Sequence, residues 1–199
     1  HRMKRIRIIS LHLAYGGVEK AIINMANMFV KNYDVEILSV YKMTEQPSLP
    51  LDERVKVRYL LRYKPNREAW KDAVHRRDIF AFIKESFCAV RTLICKKLAV
   101  RKAIRETHDG IIITTRHEDN VVLSKFGDKN IYKIAQLHHD HKFEKMYVDA
   151  FKKRYGNIDV FALLAPRLEA EVKEIMKDNH HTRIVTIPNF LDHFPANVD

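Results

Sequence analysis

Apolar positions along the chain follow two rhythms. Ile6, Ile8, Ile9 and Leu11 form a nearly continuous apolar run, the pattern of a parallel strand covered on both faces. From Val18 the period changes: Val18, Ile22, Met25, Ala26 and Phe29 fall at i, i+4, i+7, i+8 and i+11, one stripe of a helix. Val35 to Tyr41 reads as a strand again. Strand, a turn with Gly16-Gly17, helix and strand make a βαβ unit, whose first turn is where open α/β sheets bind phosphates or sugars.

The same reading extends to the rest of the chain. Thr44 to Asp52 holds two prolines and reads as a loop, and alternation over Val55, Val57, Tyr59 and Leu61 predicts a third strand near a sheet edge. Tyr63 to Arg77, polar and basic with Pro65, fits a loop or a frayed helix equally well. Ile79 to Glu106 lacks Gly and Pro and predicts a long helix. Its stripe of Phe87, Val90, Leu93, Ile94, Leu98 and Ile104 is expected to face the core and its Lys/Arg residues the solvent. Further strands are expected at Ile111–Thr115, Ile131–Leu137, Asp159–Leu164 and Arg183–Ile187, and helices at Val121–Phe126, Phe143–Tyr155 and Pro166–Lys177. This alternation predicts a doubly wound, mainly parallel α/β sheet of about seven strands. The expected domain runs over 3–192, with a linker over 193–199.

Charge adds a second feature. The 199 residues carry a net charge of +11, but Arg54 to Arg105 alone holds sixteen Lys/Arg against four Asp/Glu, a balance of +12. A localised basic segment fits either a solvated face or contact with a membrane, nucleic acid or other polyanion. No apolar run approaches the ~18 residues of a membrane span. The start lacks a signal-peptide apolar region, and His1-Arg2 before Met3 reads as an expression remnant. Cys88 and Cys95, seven apart in a helix, would stand about 10 Å apart, too far for a disulfide. A reduced, cytoplasmic protein is expected, with peripheral contact at the inner membrane face as the extension that the basic segment allows.

Candidate chemistry gathers at strand ends. Gly16-Gly17 is not G-x-G-x-x-G, and Glu36 stands at the start of the second strand rather than its end, which disfavours a nicotinamide or flavin site. Paired glycines still allow close backbone approach and offer N–H groups at a helix start, suited to phosphate; a purely structural turn is the competing reading. His138-His139-Asp140-His141 invites a metal site, but adjacent residues at a strand end point to opposite faces, so no metal is expected. Trp70 reads as half-buried, with acceptor or membrane contact as the alternative.

Three landmarks resemble glycosyltransferase family 4. Gly16-Gly17-Val18-Glu19 is similar to the GG-x-E opening of those enzymes. Ile134-Ala135-Gln136-Leu137-His138 resembles their middle strand ending in His, and Ile187-Pro188-Asn189-Phe190-Leu191-Asp192 their closing I-P-N-x-x-D. The resemblance implies the N-terminal, acceptor-side half of a GT-B architecture, a Rossmann-like domain that faces a second one holding a nucleotide-sugar. It implies a retaining, metal-free hexosyltransferase-type transfer to an acceptor hydroxyl, on a cell-surface glycan or glycolipid-type acceptor. Gly16 and Gly17 would approach the donor diphosphate, and His138 would line the cleft by the transferring sugar as the catalytic residue. The isolated domain is expected to be inactive, because the paired-glutamate donor signature is missing: Glu45 and Glu53 have its spacing but lie in a Pro-containing loop. Ala165-Pro166-Arg167 departs from the small hydroxyl residue often found there, and no role is carried over.

Arg116, His117 and Glu118 follow the fourth strand at the same edge and are candidate acceptor contacts, against a helix cap by Asp119 or Asn120. Two rival functions remain: a basic membrane-docking module, and a nucleic-acid-binding domain, whose stacking signals are thin (Tyr59, Tyr63, Trp70) and which is not expected.

Overall fold

The computed structural model describes residues 4–62 and 67–194. Seven strands form one sheet: β1 (Arg5–Ser10), β2 (Asp34–Ser39), β3 (Lys56–Tyr59), β4 (Ile111–Thr114), β5 (Tyr132–Leu137), β6 (Val160–Leu163) and β7 (Arg183–Thr186). Their order is β3-β2-β1-β4-β5-β6-β7, and every pair is parallel. The chain winds outward from β1 in one direction and from β4 in the other, so the switch point lies between them. This is a doubly wound, Rossmann-like α/β fold.

The apolar strands explain the layers. Ile6, Ile8, Ile37, Ile113 and Ile134 project to one face, where α1 (Gly17–Phe29) covers them with Ile22, Ile23, Ala26 and Phe29. Ile9, Leu38, Ile112, Ala135 and Phe161 project to the other. There α4 (His117–Phe126), α5 (Lys145–Arg154), α6 (Pro166–Ile175) and the end of α3 (Ile79–Arg105) cover them. The strand isoleucines are fully buried, each worth about 1.5–3 kcal/mol. At the open edge β3 stays exposed, and Lys56 and Arg58 pair across to Asp34 and Glu36 on β2, charges that blunt an edge strand.

The basic stretch left open between loop and helix contains α2 (Arg67–His75), while residues 63–66 fall outside the described ones. The Trp70 indole N–H donates to Ser86 Oγ at 2.8 Å and its ring lies 6.0 Å from Phe82, so a half-buried Trp70 ties α2 to α3.

Two expectations are corrected. The long helix does not lay its apolar stripe on the core: Phe87, Val90, Leu93, Ile94 and Leu98 are all exposed, and Val100, Ala103 and Ile104 make the burial. A 27-residue helix is about 40 Å long, whereas a four-residue strand such as β4 spans roughly 13 Å, so α3 overruns the sheet. Second, α4 begins at His117, four residues earlier than expected; Asp119 and Asn120 are buried inside it and neither caps it. After β7 the chain forms a 3-10 helix, Ile187–His193, and Phe194 stacks on Phe29 at 4.9 Å. Positions 195–199 of the expected linker fall outside the described residues.

Position along α3 should therefore set the cost of truncation. Ile104→Ala is expected to lose about 2–5 kcal/mol and Ile94→Ala under about 0.5 kcal/mol in urea unfolding. Equal losses would contradict the exposed placement of the stripe.

Candidate active site

All seven strands point their C-terminal ends at one edge, and the polar groups of interest begin there. Ser10 and Ser39, paired in register and fully buried, each donate a hydroxyl to a carbonyl two residues on: Ser10 to His12 O at 2.6 Å, Ser39 to Tyr41 O at 2.8 Å. The first of these turns bends the chain off β1 into the glycine loop, and the second bends it off β2. The Ala14 N–H donates to His12 Nδ1 at 3.2 Å, which leaves the proton of the neutral ring on Nε2. That nitrogen faces Glu19 Oε1 at 3.7 Å, and both side chains are buried.

The two glycines differ. Gly16 takes φ +99° and ψ 155°, a region essentially restricted to glycine, and a Cβ there would collide with the Glu19 carboxylate. Gly17 is the first residue of α1, and a Cβ there would meet nothing within 4 Å. Nothing among the described residues demands glycine at 17. The first N–H groups of a helix have no acceptor within it, and its N-terminal end favours negative charge, supplied from inside by Glu19.

His138 emerges at the end of β5. Its Nε2 donates to Gln136 Oε1 at 3.1 Å, so its Nδ1 keeps a lone pair in the neutral ring. Gln136 is buried and its amide lies 3.6 Å from Met25 Sδ on α1. Burial pulls both His12 and His138 below the ordinary imidazole range, and the Glu19 charge opposes the shift in each; Arg116 lowers His12 further. The glycine loop, His12, Glu19, Arg116 and His138 thus share one electrostatic neighbourhood over the ends of β1, β4 and β5. It combines helix-start amides, a fixed carboxylate and two neutral imidazoles, a set able to hold a phosphate and to accept a hydroxyl proton.

His117 and Glu118 turn away from this cluster. The Tyr155 hydroxyl accepts from Asn120 Nδ2 at 3.3 Å and donates to His117 Nδ1 at 2.7 Å, while the two rings stack at 5.7 Å. Asn120 also donates to Gln136 O and accepts from Thr114 Oγ1, which locks α4 to β4 and β5. Burial lowers His117 and raises the Tyr155 phenol. Glu118 receives Lys96 at 3.1 Å and Arg116 at 3.4 Å; burial works to raise it, but these cations hold it below the usual carboxylate range. His117, Glu118 and Asp119 line a groove of about 660 Å³ between α3, α4 and α5, shared with Lys96, Lys153 and Arg154. Burial pushes the Asp119 carboxyl up to about 7, with Glu118 adding to the rise.

The histidine cluster after β5 splays apart. His139 stacks on Phe143 at 4.9 Å, its Nε2 buried without a hydrogen-bond partner, while His141 pairs with Asp140 at 3.0 Å on the surface. Among the described residues no three His, Cys, Asp or Glu converge as a metal set. Glu45 pairs with Lys42 in its loop. A cavity of about 460 Å³ lined by Lys4, Lys133 and Asp159 sits at the opposite edge, by the strands' N-terminal ends, away from where such sheets gather ligands.

Sequence reasoning assigned no role to His12 or Gln136, and read Asp119 only within the Arg116–Asp119 stretch or as a helix cap. His12 carried a usable signal, as a polar residue directly after a buried strand at the ligand edge. Gln136 and Asp119 carried none that separates them from ordinary surface polars.

No known family model matches the chain. In an alignment 182 residues long that covers 87% of the chain, it is 25% identical to an exopolysaccharide phosphotransferase of Streptomyces coelicolor. That alignment covers 19% of the relative, so the chain spans about a fifth of the length of the curated protein it matches.

Substitutions at the two glycines should separate. Gly16→Ala is expected to cost about 1–3 kcal/mol in urea unfolding, and Gly17→Ala to be neutral or slightly stabilising. A second test uses the raised Asp119 carboxyl. The unfolded chain releases this proton near 3.8 and the folded one near 7, so its ionisation disfavours the fold increasingly across that window. Asp119→Asn should raise the melting temperature by an amount that grows from pH 4 to about 7 and then levels off; a pH-independent difference would contradict the burial of the carboxyl.

Proposed function

We propose that this chain is the acceptor-side half of a glycan-building transferase. A sugar moves from a nucleotide diphosphate sugar to an acceptor hydroxyl with retention of configuration, and the nucleotide-sugar is largely held by a second domain outside this chain. The observation that carries the reading is the convergence of the glycine loop, Glu19 and His138 at the sheet's switch point. The bond from the sugar's anomeric carbon to the diphosphate breaks, the bond to the acceptor oxygen forms, and the acceptor proton passes to the leaving phosphate. Gly16 and Gly17 let the diphosphate approach the start of α1. His138 Nδ1 accepts a hydrogen bond from a hydroxyl of the transferring sugar. Arg116 stands beside the incoming acceptor, held by its ion pair with Glu118, while His117 is tied to Tyr155 behind the site. No metal or organic cofactor enters this scheme. The domain alone is inactive, lacking the donor-holding half, and works on the cytoplasmic side of a membrane.

The name of the Streptomyces coelicolor relative favours a second reading, in which the transferred group is a sugar phosphate. The acceptor oxygen then bonds to the phosphorus that carries the sugar, the bond from that phosphorus to the bridging diphosphate oxygen breaks, and the nucleoside monophosphate leaves with the acceptor proton. Both readings place a phosphate against the glycine loop. The leaving nucleotide tells them apart: diphosphate for sugar transfer, monophosphate for sugar-phosphate transfer.

In the full-length protein, Gly17→Val and His138→Ala are each expected to lower turnover by about tenfold or more with unchanged circular dichroism. Wild-type turnover in both would overturn the site assignment.

A further inference from the structure

Phe80, Ile83, Phe87, Val90, Ile94 and Leu98 recur on α3 at i, i+3, i+7, i+10, i+14 and i+18, a single stripe roughly 27 Å long. All six are more than half exposed, Phe80 by 87% and Phe87 by 70%. This stripe is not the arc that binds the body. Val100, Ala103 and Ile104 face the sheet, and Phe82 and Ser86 face Trp70 on α2; helical spacing puts both sets well to the side of the stripe. One helix therefore carries two apolar arcs, one used and one open. Contiguous apolar surface of this extent marks a contact site.

Charge identifies what the site contacts. Lys84, Arg91 and Lys102 border the stripe on one side, Lys97 borders it on the other, and all are exposed. Beyond Leu98 the same arc passes to Arg101 and Arg105, which lie over the Phe126 ring of α4 at 4.1 and 5.0 Å, so the open stripe ends there. The α3 acid, Glu85, falls on the far side of the helix by the same spacing. A second copy of the chain would bring like charges together along the whole stripe. An apolar seam bordered by cations matches a bilayer that presents acyl chains beneath anionic headgroups. Among the described residues no helix is long and apolar enough to cross a membrane, so such contact is lateral.

We infer that α3 docks the protein on an anionic phospholipid bilayer, with the Phe80–Leu98 stripe seated at the headgroup boundary and the bordering Lys and Arg on lipid phosphates. The inference is independent of which group is transferred. The α2–α3 hairpin is the docking element, and the groove holding His117 and Asp119 opens beside the C-terminal half of the same helix, where Leu93, Lys96 and Lys97 line it.

The test is flotation of the full-length protein with phosphatidylcholine vesicles, with and without about one-third phosphatidylglycerol, at roughly 0.15 M salt. The expected result is flotation with the anionic vesicles and little with the neutral ones. The triple variant Phe80→Ser, Phe87→Ser, Val90→Ser should bind about tenfold more weakly, with an unchanged melting temperature. The double variant Lys84→Glu, Arg91→Glu, which leaves the stripe intact, should lose binding to a similar degree. Absence of flotation, equal flotation with neutral vesicles, or wild-type binding by both variants would overturn the proposal. So would a wild-type dimer that the triple variant converts to monomer without vesicle binding by either.

Discussion

A parallel sheet covered on both faces delivers every strand's C-terminal end to the same edge, and the rest of the molecule depends on that constraint. It fixes where a loop can leave the sheet without stranding backbone groups in the core. It also fixes where a polar side chain can meet solvent while its backbone stays rigid. The buried isoleucines of β1, β4 and β5 hold this edge in place, so the glycine loop and His138 follow from rigidly held strand ends. Between β1 and β4 the winding reverses, the switch point at which such sheets gather ligands, and Gly16, Glu19 and Arg116 follow those two strands.

Burial then sets the chemistry. Two imidazoles kept neutral by desolvation lie close enough to Glu19 for its charge to act on both. The carboxylate does not overcome burial at either ring. It leaves two neutral rings beside one carboxylate at the start of α1, whose N-terminal end suits an anion. Within the proposed reaction, the phosphate and Glu19 would lie at the same helix end, and Arg116 is the nearby cation able to balance them. The network of Thr114, Asn120, Tyr155 and His117 does separate work. It closes the polar interior between α4, β4, β5 and α5 so that the ligand-side residues are held from behind.

The fold was legible because strand and helix periods differ and parallel strands read as solid apolar runs. All seven strands and the edge position of β3 came from that signal. The failures have one physical origin: period tells which residues share a face, not what the face meets. On α3 the stripe was real but faced solvent, because the helix outruns the strands beneath it. On α4 the polar run from His117 to Asn120 looked like a loop, since propensity could not foresee that Asn120 would find Thr114 and Gln136 inside. Within the candidate site, glycines and a strand-end histidine stood out in the sequence. Glu19 was visible only as part of a motif, and its place between two histidines depends on how α1 lies across the sheet.

The most direct measurement is amide hydrogen exchange of the full-length protein with and without a panel of nucleotide-sugars. The account predicts slowed exchange across residues 13–20 and 137–141 with the correct donor. Slowing confined to the groove between α3 and α5, or none anywhere in this chain when the donor binds, would contradict it.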